Sequence, residues 1–399
     1  MSKNQIAELD EQGLIGLVIE KMNGREIICK GNTLIDFATT NYLGFETRSE
    51  LHVKGIEYAS LWGATIGWSR LEADCHLYSD VERKVAEFVG AKKVHLSLTV
   101  TTTGFSLMCL IAKKGVILAD QQVHSVVFES ARLARDHGAA IVPFRHQDLA
   151  HLETLLKTHD KIEPKIIVID GVYSISSEKA PIAAIQELAK RYNAWIYVDD
   201  AHGSGIYGKG PFGSNSYGNG GGGIVSHFTQ NYSRTFYVGS FNKAFCTTGA
   251  FLVIPDEYLE NVPSSFLSTI YSAPVAPYVL GTIAAALELN QKIGDEMRAH
   301  IRKMTQRFVD GLTQLGLKYT NESLHPVVFV EVGELPDLIS VASFLKKNGV
   351  WAGLRPHPVV PKDRCGLRFA VTALHSEAHI DRALVALKGC QGLFKRRAA

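Results

Sequence analysis

The chain has 399 residues, 46% of them hydrophobic and 21% charged, enough for a large core and for more than one domain. Its 42 Lys and Arg nearly balance 40 Asp and Glu, so no global field draws it to nucleic acid or a membrane surface. No apolar run reaches the ~18 residues that a spanning helix needs, and residues 1–8 lack the apolar stretch of a secretory signal, so a cytoplasmic location is expected. Six cysteines (Cys29, Cys75, Cys109, Cys246, Cys365, Cys390) show neither CxxC pairs nor His–Cys metal spacing, which argues against a disulfide framework and a zinc site.

Residues 1–50 read as an N-terminal segment: a helix, a short strand pair around Glu26-Ile27-Ile28-Cys29, and an approach ending in Asn41-Tyr42-Leu43-Gly44-Phe45. Over residues 51–286 short Val/Ile-rich runs alternate with amphipathic stretches: Val94-His95-Leu96-Ser97, Val116-Ile117-Leu118-Ala119, Ala140-Ile141-Val142-Pro143, Ile166-Ile167-Val168-Ile169, Ile196-Tyr197-Val198, Phe236-Tyr237-Val238 and Ala250-Phe251-Leu252-Val253-Ile254. That pattern predicts an α/β domain with a mostly parallel, buried sheet. A long helix over 273–315 leads into a small α+β domain (287–399) with strands at Val327-Val328-Phe329-Val330-Glu331 and Gly366-Leu367-Arg368-Phe369-Ala370-Val371 and helices over 338–347 and 380–387. The glycine-rich stretch 215–223 is expected to be a flexible surface loop.

Two segments carry the chemistry. Trp195-Ile196-Tyr197-Val198 runs into Asp199-Asp200-Ala201-His202-Gly203, which places an acid and an imidazole at a strand's carboxyl end, where α/β sheets bind ligands. After a second strand, Ser240-Phe241-Asn242-Lys243-Ala244-Phe245 supplies an amine. Pyridoxal phosphate needs such a set: an amine to form its imine, an anion to keep the pyridine nitrogen protonated, and a donor to its phenolic oxygen. The plainer readings are a surface lysine and a structural histidine; Asp200, beside Asp199, is the acid that strand alternation turns away.

Six segments in order, Asn41-Tyr42-Leu43-Gly44, Asp120 to His124, Gly171-Val172-Tyr173-Ser174, Val198 to Gly203, Ser240 to Phe245 and Leu367-Arg368-Phe369, make the chain resemble the α-oxoamine synthase family of fold-type I pyridoxal phosphate enzymes over nearly its whole length. The resemblance implies a fold-type I transferase with a mostly parallel large-domain sheet and a small α+β carboxyl-terminal domain. It implies Lys243 as the Schiff-base lysine that also moves the substrate α-proton, Asp199 as partner of the pyridine nitrogen, His202 as donor to the phenolic oxygen, His124 as the imidazole stacked on the ring, and Ser174 at the ring edge. The phosphate falls to the turn at Thr99 and Val100 and to Ser240, with Ser268 and Thr269 reaching it from the other subunit of a homodimer. Arg368 is matched to the arginine that holds the substrate carboxylate, the plain alternative being a surface strand arginine, and Asn41 lies beside a position where relatives carry an asparagine.

The implied reaction condenses a small amino acid with an acyl thioester, on coenzyme A or an acyl carrier protein, and releases carbon dioxide to leave an α-aminoketone. The family's small-Gly-aromatic phosphate turn is absent at Thr99-Val100, Trp68 replaces a small residue in Gly63-Ala64-Thr65-Ile66-Gly67-Trp68-Ser69-Arg70, and Pro358 replaces a threonine two residues before Val360-Pro361. The same chemistry making a long-chain autoinducer precursor is compatible with those changes. An aminotransferase, a Cys-dependent desulfurase and a non-catalytic subunit are the other classes the fold could serve.

Overall fold

The computed structural model describes residues 3–211, 215–258 and 262–394. Strands β1 (Lys21–Asn23), β2 (Glu26–Cys29) and β3 (Asn32–Phe37) come first. Then follow β4 (Val94–Ser97), β5 (Val116–Asp120), β6 (Ala140–Phe144), β7 (Lys165–Asp170), β8 (Ala194–Asp199), β9 (Thr235–Ser240) and β10 (Ala250–Val253). The last are β11 (Tyr319–Thr320), β12 (Val327–Gly333), β13 (Val350–Arg355) and β14 (Cys365–Ala370). The chain divides into two compact units: one gathers residues up to Gly44, Ile175–Glu178 and those from Glu296 on, the other Phe45–Ser174 and Lys179–Asp295.

In the larger unit the strand order is β4-β10-β9-β8-β7-β5-β6. Strands β6, β5, β7, β8 and β9 run parallel, and β10 is antiparallel to both β9 and β4. Every residue of β5, β7, β9 and β10 is buried, because the helical crossovers that parallel pairing demands cover both faces. On one face Leu107 and Ile111 of the helix Val100–Ala112 and Val127 and Ala131 of the helix Ser125–Asp136 pack on Ile117, Val168, Tyr197 and Phe236. Parallel pairing also brings the carboxyl ends of β5, β7, β8 and β9 to one edge.

In the smaller unit the order is β1-β2-β3-β13-β14-β12-β11. Residues up to Gly44 belong here because β3 pairs in parallel with β13, a strand the sequence reading did not anticipate, in the register Ile35↔Val350 and Phe37↔Ala352. Phe37, Phe308 and Phe369 centre its core, with ring centroids 5.5 Å apart for Phe37–Phe369 and 5.0 Å for Phe308–Phe369. The segment Ile175–Glu178 joins this unit through Ser177, whose hydroxyl donates to the Val327 carbonyl (2.8 Å). The long helix spans Pro277–Gln314, starting at a proline suited to a first turn. No helix among the described residues is long and apolar enough to cross a membrane.

The stretch 215–223 departs from the flexible surface loop expected of it. Tyr217 and Gly221 to Gly223 are buried, Gly218 and Asn219 fold back on the 208–209 backbone, and Asp295 accepts from the Gly220 N–H (2.9 Å). The glycines are there for close approach: a Cβ on Gly208 would lie 1.9 Å from the Asn219 carbonyl oxygen, and one on Gly223 (φ +94°) 1.8 Å from Tyr237 Oη. Composition alone cannot separate glycine used for freedom from glycine used for packing.

Candidate active site

At the carboxyl edge of the larger unit's sheet, Asp170 ends β7 and Asp199 ends β8, and the two are register partners on one face. Both are buried. Asp199 Oδ1 accepts the Ala201 N–H (3.0 Å) in the turn that carries the buried His202. Asp200 faces the other way, where its Oδ2 accepts from Tyr237 Oη and the Ile224 N–H, both at 2.7 Å. Gly203 completes this turn because nothing larger fits: its Cβ would sit 2.1 Å from Asp200 Oδ1.

His124 caps the helix Ser125–Asp136, its Nδ1 accepting the Val126 N–H (3.3 Å), which leaves the ring proton on Nε2. Its own N–H donates to both oxygens of Asp170 (3.0 and 3.2 Å). Burial, then the neighbouring Asp199 charge, push the Asp170 carboxyl well above the usual range, and the Lys243 ammonium pulls against that rise. Asp170, His124 and Lys243 thus share one neighbourhood. The sequence reading passed over Asp170, although the signal that marked Asp199 was present in Ile169-Asp170-Gly171: an acid closing an apolar strand.

Lys243 is half-buried in the turn between β9 and antiparallel β10. Asn242 braces that turn: Ser240 Oγ accepts its N–H (3.1 Å), while Asn242 Oδ1 accepts the Gly249 N–H (2.8 Å). Cys246 adopts φ +58°, and its Sγ accepts the Phe45 N–H (3.2 Å). Ser174, partly buried, lies just beyond β7.

The helix Val100–Ala112 begins at the expected phosphate turn, with Thr99 as its N-cap accepting the Thr102 N–H (3.1 Å). First-turn N–H groups of such a helix are natural anion ligands. Ser268 donates its N–H to Ser106 Oγ on this helix (3.0 Å), and its own Oγ is buried with no hydrogen-bond partner among the described residues. Thr269 Oγ1 lies 2.9 Å from Nε2 of His95, a β4 residue that sequence alternation did not single out. Burial, then the Arg70 charge, pull the His95 imidazole down to about 3, so it is neutral. Arg70 Nη1 donates towards its Nδ1 (3.4 Å), which puts the ring proton on Nε2, donating to Thr269. The Thr269 hydroxyl proton is then left for another acceptor. Arg70 is itself held by Asp74 (2.6 Å) and Glu82 (2.9 Å). Trp68, next to this network, is 49% exposed.

In the smaller unit Asn41 is partly buried, its carbonyl accepting the Gly44 N–H (3.2 Å), and Arg368 stands half-buried on β14. Burial raises the Tyr42 phenol well above its usual range, and the Arg368 and Arg355 charges oppose that rise.

The profile of the aminotransferase class I and II family matches residues 33–387. The 8-amino-7-oxononanoate synthase of Dechloromonas aromatica (strain RCB) is 31% identical, with 96% of this chain and 97% of that protein aligned. That of Herminiimonas arsenicoxydans is 30% identical over 97% and 98%. The chain belongs to the α-oxoamine synthases within the class I and II aminotransferase family. In fold, this α-oxoamine synthase family member is similar to a serine palmitoyltransferase from S. paucimobilis with a bound PLP-myriocin aldimine (TM-score 0.88, 23% identity, 98% of each chain covered). It is also similar to 8-amino-7-oxononanoate synthase from Francisella tularensis (TM-score 0.74, 19% identity, 89% and 97% covered).

The donor set fits pyridoxal phosphate, as expected for this family: a lysine, a buried strand-end acid with one oxygen engaged by the backbone, a capped helix start, and the unpartnered Ser268 hydroxyl.

Proposed function

We propose that this chain is a pyridoxal phosphate-dependent C-acyltransferase that joins a small amino acid to an acyl thioester and releases carbon dioxide and the free thiol, leaving an α-aminoketone. One observation carries the reading: a lysine, a buried acid and an imidazole meet at one sheet edge in a chain that aligns over 96% of its length with an 8-amino-7-oxononanoate synthase.

The cofactor, when bound, supplies a ring that accepts negative charge from the substrate α-carbon. Lys243 Nζ would hold the cofactor covalently and would be the base that takes and returns the substrate α-proton. Asp199 holds the proton on the pyridine nitrogen, and its burial strengthens that pairing. His202 would donate to the phenolic oxygen and His124 would face the ring, and the His124 main chain is fixed by Asp170. Thr99 and Val100 at the helix start, with Ser240, would hold the phosphate, and Ser174 would stand at the ring edge. Arg368 takes the amino acid's carboxylate in a bidentate pair, and Asn41 is the second residue assigned to that group.

The working unit in this reading is a homodimer in which Ser268 and Thr269 reach the phosphate of the other subunit. Exposed apolar side chains support it: Val53, Ile56 and Leu61 along the helix Ser49–Trp62, with Leu71, Leu267 and Tyr271.

Borohydride reduction of the loaded protein should fix the cofactor to Lys243, and Lys243→Ala should lose that adduct; a persisting adduct on another lysine, read by peptide mass spectrometry, would remove the assignment. Release of carbon dioxide and thiol from paired amino acids and acyl-coenzyme A thioesters separates the synthase from an aminotransferase, which needs no thioester.

A further inference from the structure

A guanidinium can only donate hydrogen bonds, and that of Arg70 is locked in place. Nε and Nη2 donate to Asp74 Oδ2 (2.9 and 2.6 Å), Nη1 donates to Glu82 Oε1 (2.9 Å), and Cζ lies 3.9 Å from the centre of the Tyr78 ring. Glu82 Oε1 also accepts the N–H of Leu96 (2.8 Å), the residue after His95 on β4. Two groups face His95 Nδ1: Arg70 Nη1 at 3.4 Å, and Glu82 Oε1 at 3.6 Å, beyond hydrogen-bond range. Nδ1 is therefore the acceptor, and Nε2 carries the ring proton. Burial and the Arg70 charge keep the imidazole neutral, and the Phe266 ring stands edge-on to it (5.6 Å, 81°), which fixes its plane.

Donation thus runs one way, from Arg70 to His95 and from His95 Nε2 to Thr269 Oγ1 (2.9 Å). A hydroxyl that accepts one hydrogen bond is polarised towards donating the next. Thr269 is 8% exposed, its N–H is spent on the Phe266 carbonyl (2.9 Å), and its own carbonyl accepts from Ser69 Oγ (3.4 Å). No acceptor for its hydroxyl proton stands among the described residues. A phosphate group presents strong acceptor oxygens, so it matches a threonine whose proton is free and whose acceptor side is taken.

We propose that His95 is a positioning residue for cofactor binding, one that fixes the Thr269 hydroxyl as a hydrogen-bond donor to the phosphate. The proposal rests on the reading of Thr269 given above and adds His95, which acts through it. Arg70 sets the polarity, because a guanidinium at Nδ1 allows the imidazole only one direction of donation.

The test titrates the full-length protein with pyridoxal phosphate and with pyridoxal, the same molecule without its phosphate, and reads binding from visible absorbance. His95→Phe keeps a ring and removes the donor; it should weaken pyridoxal phosphate binding about threefold to tenfold, as for one ordinary hydrogen bond, and leave pyridoxal binding in place. His95→Met, also without a donor, serves if the phenylalanine variant does not fold. His95→Gln, whose amide N–H can donate in the imidazole's place, should recover most of the loss. In a Thr269→Val background His95→Phe should cost nothing further, because the group it acts through is gone. Unchanged pyridoxal phosphate binding in the folded variants without a donor would overturn the proposal. So would an equal loss for pyridoxal, a glutamine variant as weak as the phenylalanine one, or a full further loss in the Thr269→Val background. Thr269→Val alone separates the two levels. A loss specific to the phosphate in that variant, without one in His95→Phe, removes only the role of His95; no such loss in Thr269→Val removes the phosphate reading of Thr269 as well.

Discussion

Asp200 shows how one turn holds two adjacent acids in opposite roles. Strand alternation sends Asp199 to the face that carries Asp170, and Asp200 to Tyr237 and the Ile224 N–H. Burial pushes the Asp200 carboxyl up to about 7, from a model-peptide value near 4. Between those two pH values the native state keeps a proton that the unfolded chain has released, so stability contributed at Asp200 is present at low pH and lost as pH rises towards 7. Asp200→Asn cannot lose a proton there. The stability of wild type relative to this variant should therefore fall across pH 4 to 7, by on the order of 4 kcal/mol at most. Melting curves of the two proteins over that range measure it, and a constant difference would mean that Asp200 titrates as it does in the unfolded chain. The same strand-end logic makes Asp199 legible in the sequence; the alternation that separates it from Asp200 needs only the knowledge that β8 is a strand.

At the scale of elements, the glycine-rich turn and strand β13 were both misread or missed, for different reasons. In the turn, glycine supplies room: Gly223 meets Tyr237 and Asp200, whereas Gly220 has open space around its Cβ position. Both have positive φ (+94° and +83°), so replacing either costs backbone strain, of order 1 to 3 kcal/mol. Gly223→Ala should cost more than Gly220→Ala by about 2 kcal/mol or more, because overpacking against a buried phenol adds to that strain. Urea unfolding midpoints of the two variants decide this, and equal losses would leave backbone strain as the only cause. Strand β13 is Val350-Trp351-Ala352-Gly353-Leu354-Arg355, a run whose apolar alternation is broken by glycine. Its identity as a strand comes from β3 and β14, which flank it in space and lie far away in sequence.

For the whole molecule, the consequential expectation is a site completed by a second subunit. Thr269 is tied to His95, and through it to Arg70 and Glu82, so its hydroxyl oxygen is held in place by these residues. Thr269→Val should weaken cofactor retention, and Lys243→Ala should abolish turnover. Mixed after subunit exchange, the two inactive proteins should form heterodimers in which one site carries both defects and the other neither, restoring part of the activity. Activity no greater than the sum of the separate variants, with exchange confirmed by mass, would assign the phosphate entirely to residues of one chain.

The sequence alone determined what depends on local pattern. Short apolar runs between helices specify a buried parallel sheet, and the residue that follows each run must stand at its carboxyl edge, which is why Asp199, His202 and Lys243 could be named before any contact was known. Their membership of one family follows from the order of six short segments. Only tertiary structure decided what depends on neighbours distant in the chain: that residues up to Gly44 complete a sheet with β13, that Asp170 clamps the main chain of His124, that His95 orients Thr269, and that Arg368 on β14 lies opposite Gly353 on β13. Register between strands and burial at their ends are set by packing the whole chain at once, and no window of sequence contains them.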